Sequence, residues 1–102
     1  MIHVVATITV LPGRRAEFLA AFHELVPQVH AEVGCLEYGP AIDLATSIPG
    51  LPAIREEVVT VIEKWESVSA LADHLAAPHM QQYREKVKEM VTSVDVRVLQ
   101  PA

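Results

Sequence analysis

Glu63-Lys64-Trp65-Glu66-Ser67 ends an apolar run and opens a helical one that carries His74, Pro78-His79 and Tyr83. These residue types could do chemistry at this spacing. An indole offers a flat apolar plate for a ring. An imidazole about two helical turns further on titrates in the range that suits proton transfer. A phenol on the next helical segment could point its hydroxyl between the two. Together they suit acid–base chemistry on a small flat ligand, with His74 as the base and Trp65, His79 and Tyr83 as binding groups. Each also has a plainer use. Trp65 could be core packing at a strand end, and His74 a hydrogen-bonded core or interface histidine. His79 could cap the turn after Pro78, and Tyr83 could pack in a helical core.

Something must position these groups. Ile2 to Val10 is almost wholly β-branched, which predicts a strand stopped by Pro12-Gly13. A helix follows from about Arg14 to Glu32. Phe18, Phe22, Leu25 and Val29 form its apolar stripe, and Glu24, Gln28 and Glu32 lie off it. Pro27 should kink it, and Gly34 should end it as a left-handed cap. His23 and His30 read as exposed. Cys35 to Asp43 reads as a second strand, marked by Pro40 as an edge or a bulge. Leu44 to Arg55, with Pro49, Gly50 and Pro52, reads as a long loop that could project as a flap. Glu57 to Trp65 is a third strand, and Ser67 suits the N-cap of the next helix. That helix carries Leu71 and Leu75, breaks at Ala77-Pro78, and resumes with Met80, Tyr83, Val87 and Met90 on one face. His74 falls ~60° round the wheel from Leu71, at the edge of the buried stripe. Val94 to Leu99 alternates as a final strand. The order βαββαβ is ferredoxin-like: a four-stranded antiparallel sheet with two helices on one face, in one domain spanning residues 1–102.

The totals narrow the classes. The chain has 102 residues, 51% hydrophobic and 21% charged, an ordinary globular composition. Net charge is -5 with scattered cations, so no nucleic acid is expected as partner. No apolar stretch approaches the ~20 residues of a membrane span, and no signal-peptide pattern appears. One cysteine, Cys35, fits a reducing compartment and a cytoplasmic location. It reads as a small buried apolar residue. Glu56, Glu57, Glu63 and Glu66 read as solvated strand ends. The five histidines make no metal set with Cys35, and there is no phosphate loop or dinucleotide fingerprint.

Helices cover one face of such a sheet, and the other should be charged in a monomer. Here the first strand offers Val5, Thr7 and Thr9 on its second face, and the third strand is aliphatic at both parities. That predicts a homodimer joined through the sheet face.

Taken together, several motifs resemble the antibiotic-biosynthesis-monooxygenase family of dimeric α/β-barrel proteins. They are Pro12-Gly13, Ala31-Glu32-Val33-Gly34-Cys35-Leu36-Glu37-Tyr38, Glu63-Lys64-Trp65-Glu66-Ser67, and His74 with Pro78-His79. The resemblance implies a ferredoxin-like protomer, a sheet-to-sheet dimer and a pocket between sheet and helices. It also implies oxygenation of a hydroquinone or phenol with molecular oxygen and no cofactor, with Trp65 as the pocket tryptophan. Members that oxidise polyketide phenols carry an Asn and a Tyr where Val61 and Leu71 stand, which counts against that substrate class. Another branch, which isomerises the phosphorylated autoinducer-2 sugar, resembles the chain in the spacing of His74 and His79. A non-catalytic, ligand-binding stress-response barrel is the third reading.

Overall fold

The computed structural model describes all 102 residues. Seven elements follow one another: β1 (Ile2–Val10), α1 (Arg15–His30), β2 (Cys35–Ala41), β3 (Val58–Trp65), α2 (Val68–Ala76), α3 (Pro78–Val87) and β4 (Val91–Leu99). The sheet is antiparallel, in the order β2-β3-β1-β4. This is the expected α+β arrangement, with the second helix divided at Ala77-Pro78. Pro78 stands at the start of α3, where its missing N–H costs nothing. Ser67 caps α2, its side chain accepting from the Ala70 N–H at 3.1 Å. β2 is an edge strand, which accommodates Pro40, and its register against β3 shifts between Cys35 and Glu37. α1 runs through Pro27, which lies on its exposed side.

Strand parity decides which side chains turn inward. Val4, Ala6, Ile8 and Val10 of β1, and Val59, Val61, Glu63 and Trp65 of β3, face the helices and are buried. Phe18, Phe22, Leu25 and Val29 of α1 close over them, as their spacing requires. Phe18, Phe22 and Trp65 are fully buried, each contributing roughly 2–3 kcal/mol over exposure.

The expectation for the bare face needs adjusting. Register places His3, Lys64, Asp95, Arg97 and Glu37 on the same outer side as Val5, Thr7, Thr60 and Ile62. The strip is low in charge at its centre and charged at its margins. A second apolar surface lies on the inner side. Val94, Val96 and Val98 pair with Ile8, Ala6 and Val4 and so point toward the helix layer. They remain 56%, 51% and 52% exposed, because the helices do not reach across the edge strand. The residue 42–55 connection also leaves Leu44, Ile48, Leu51 and Ile54 exposed. Its ends are tied by Arg55, whose guanidinium donates to both oxygens of Asp43 at 2.8 and 2.9 Å.

Gly34 joins α1 to β2 at φ +86°, and an added Cβ would stand 2.6 Å from the Ala70 side chain. Gly13 has φ +81° but open space around it. Left-handed backbone costs a side-chain-bearing residue about 1–2 kcal/mol. Denaturant unfolding should therefore show Gly13→Ala losing about 1 kcal/mol. Gly34→Ala should lose distinctly more, because it also forces α2 off the turn. Equal losses would contradict this packing.

Candidate active site

Trp65 ends β3 with its indole fully buried. A buried N–H needs an acceptor. Glu63 has the same parity two residues back and supplies one: Nε1 donates to Glu63 Oε1 at 2.9 Å. His74 of α2 packs on the indole at a tilt of 36°, ring centroids 4.6 Å apart. Tyr38 of β2 meets the same imidazole edge-on at 5.3 Å, and Phe22 stacks on Tyr38 at 5.4 Å. An aromatic wall thus locks the imidazole in place.

Glu32 lies just beyond α1 and orients that ring. His74 Nδ1 donates to Glu32 Oε2 at 2.9 Å, and His79 Nε2 donates to the same oxygen at 2.7 Å. A carboxylate only accepts, so the bond places the proton of His74 on Nδ1. Nε2 then carries the free lone pair, and no group of the chain hydrogen-bonds it. Burial pulls the His74 pKa below 6.5, although the hydrogen bond and charge of Glu32 push the other way. The imidazole is neutral at pH 7 and can accept a proton.

A cavity of about 370 Å³ opens beside it. That falls within the usual size of small-ligand sites, roughly 300–1,000 Å³. Its walls are mainly Val4, Ala6, Ile8, Val61, Leu71, Met80, Val87 and, from β4, Val91, Val94 and Val96. His74, Glu63, Tyr38 and Tyr83 bring polar atoms to it, and Arg84 and Lys88 also line it. Burial raises both phenol pKa values, so both stay protonated. A larger hollow of about 720 Å³ lies along the Asp43–Arg55 segment. Its charged groups, Asp43 and Arg55, are engaged with each other, so it presents no free acid or base.

The structure brings two of the four expected site residues, His74 and Tyr83, to the cavity wall. Trp65 and His79 are not on the wall: Trp65 packs on His74 and bonds Glu63, and His79 bonds the Glu32 oxygen that also holds His74. These two support the site from the second layer. Two acids escaped the sequence reading. Glu63 read as a solvated strand end but is only 7% exposed. Its parity with Val59, Val61 and Trp65 was the available signal. Glu32 gave no local signal, because its partners are more than forty residues away. Cys35 is half-buried, and burial followed by the charges of Glu32 and Glu63 raises its pKa, so it is not an activated thiol.

Residues 1–86 match the model of the family described as antibiotic biosynthesis monooxygenase. Among curated proteins, the chain is 38% identical over 103 residues to "Probable quinol monooxygenase YgiN" of Escherichia coli K12, covering 99% of this chain and 98% of that one. Among solved structures, Rv0793 from Mycobacterium tuberculosis superposes with a TM-score of 0.80 at 27% identity, covering 99% and 94% of the two chains. PA3566 from Pseudomonas aeruginosa gives 0.81 at 25% identity, covering 99% and 93%.

Burial also raises Glu63, from an ordinary 4.5 to about 7, against the opposing hydrogen bond from Trp65. A raised carboxyl stabilises the fold while protonated and loses that advantage as pH rises. Over the window from 4.5 to about 7 the loss is on the order of 2–3 kcal/mol. Glu63→Gln, which keeps an acceptor for the indole, should thus gain stability relative to the parent as pH rises through that window. Denaturant midpoints that move in parallel for the two proteins from pH 5 to pH 8 would contradict a buried, raised carboxyl.

Proposed function

The chain belongs to the antibiotic biosynthesis monooxygenase family, and on that premise we propose that it oxygenates a small hydroquinone with molecular oxygen and without a cofactor. The observation that carries this reading is the bare Nε2 of a neutral His74 facing an apolar cavity. An ionised hydroquinone donates electrons to oxygen itself. The reaction therefore asks the protein for an apolar ring site, a proton acceptor beside it, and little else.

The steps follow from the geometry. The ring enters the cavity among Leu71, Met80, Val61 and the tyrosines. His74 Nε2 takes one phenolic proton, and Glu32 steadies the imidazolium that forms, as an acceptor on Nδ1. The quinolate gives up four electrons in all. One oxygen atom is added to the ring, the other leaves as water, and the product is a hydroxyquinone. A ring of this kind is also what the relative's name, quinol monooxygenase, describes.

The sugar-phosphate isomerase reading is less well supported. It needs free cations for the phosphate. Arg84 donates to the Leu75 carbonyl, Lys86 pairs with Glu24 and Lys88 with Glu85. His79 is turned to Glu32 and not to the cavity.

The working unit in this reading is a homodimer. Association through the outer face of the sheet would cover the Val5–Ile62 strip. Sedimentation at micromolar concentration should give twice 11.2 kDa. A folded monomer would remove this part of the reading.

Oxygen uptake with a naphthohydroquinone should exceed autoxidation. His74→Ala should lower the rate by about 10²-fold or more, the usual worth of a positioned base. The rate should hold down to pH 6.5 and fall below it, as the imidazole protonates. Glu32→Gln removes a group that raises the imidazole pKa, so the acid limb should move lower still while the maximal rate drops. His74→Ala running at the parent rate would end the assignment.

A further inference from the structure

Glu63 holds more hydrogen-bonding capacity than the fold uses. One carboxyl oxygen, Oε1, accepts from the indole of Trp65 at 2.9 Å. The other, Oε2, has no partner in the chain and is open to the apolar cavity that the residue lines, since no sealed-off side-chain polar atom of the fold lacks a partner; the residue as a whole is only 7% exposed. An indole N–H needs one acceptor, which an amide would supply without a buried acid. A polar oxygen left in apolar surroundings is costly unless something bonds it. The direction of this residue is also fixed. β3 parity turns it inward with Val61 and Trp65, and the indole holds one end of the carboxyl. His74 packs on the same indole, ring centroids 4.6 Å apart, and lines the same cavity. Two unpartnered polar atoms, from β3 and from α2, are thus fixed relative to each other around one cavity.

We propose that Glu63 is a specificity-determining residue, its Oε2 hydrogen-bonding a second hydroxyl of the ring whose first hydroxyl faces His74, so that the cavity selects dihydroxylated over monohydroxylated aromatics. This rests on the oxygenase reading of the cavity and adds the residue that would distinguish a quinol from a simple phenol. The surroundings fit both ends of the reaction. Burial holds the carboxyl near neutral pH, with Glu32 raising it and the Trp65 N–H lowering it, and with Tyr38, His74 and Cys35 as the other titratable neighbours. The ionised form accepts from a quinol hydroxyl, and the protonated form donates to a quinone carbonyl. One group can therefore hold the same ring position before and after oxidation.

The test is binding without turnover. Trp65 is the only tryptophan and touches both His74 and Glu63, so its fluorescence reports ligands in the cavity. Naphthalene-1,4-diol, kept anaerobic and reduced, is compared with 1-naphthol. The parent should prefer the diol by about 10-fold or more, one well-made hydrogen bond to a charged group. Glu63→Leu should bring that ratio close to one while leaving the 1-naphthol Kd within about threefold of the parent. Glu63→Gln keeps the indole's acceptor and should still lose at least about threefold of the preference, which decides the matter if the leucine variant fails to fold. An unchanged ratio in Glu63→Gln, or equal weakening of both ligands, would show a purely structural residue and overturn the proposal. A parent that takes up oxygen with the quinol while its preference survives both substitutions would sink this inference and leave the oxygenase reading standing. A parent that binds neither ring and takes up no oxygen would end both.

Discussion

The indole of Trp65 is the fixed point of this molecule. It is fully buried at the end of β3, and its N–H cannot be left unpaired without losing about 1–3 kcal/mol. That requirement accounts for a glutamate inside the sheet at position 63. The broad face of the ring gives His74 a surface to lie on, and the imidazole gives Glu32 a donor to hold. Glu32 in turn gathers His79 from the start of α3. One bulky side chain thus ties the end of α1, two strands and both later helices to a single cluster.

Burial then sets the chemistry. The same loss of water moves the two cavity titrants in opposite directions, the imidazole down and the carboxyl up, each toward its neutral form. A neutral base and a near-neutral acid beside one apolar hollow can exchange protons with a phenol at ordinary pH. Specificity comes from few polar atoms in a mostly apolar lining, because each of them left without a partner is costly.

The fold was readable in the sequence because its signals are local. β-branched runs, the Phe18–Phe22–Leu25–Val29 stripe, Ser67 and Pro78 each act within a turn or a strand, and the elements fall where these residues put them. His74 was readable as well, since its wheel position beside Leu71 places it at the cavity edge. The supporting layer was not. Residue type marks Glu63 as solvated, whereas strand parity turns it inward. Glu32 acts across a contact that only the folded chain creates. The apolar face of β4 was visible as alternating valines. Its half-exposure depends on how far the helices extend over the sheet, which no single segment encodes.

Everything chemical in this account depends on His74 being held neutral with its proton on Nδ1, toward Glu32, and its Nε2 bare toward the cavity. Nitrogen NMR of the labelled protein at pH 6.5, with His74 assigned by substitution, reads that state directly. The account predicts a predominantly neutral ring whose Nε2 resonates as an unprotonated nitrogen. A cationic ring, or a neutral one with the proton on Nε2, would contradict it.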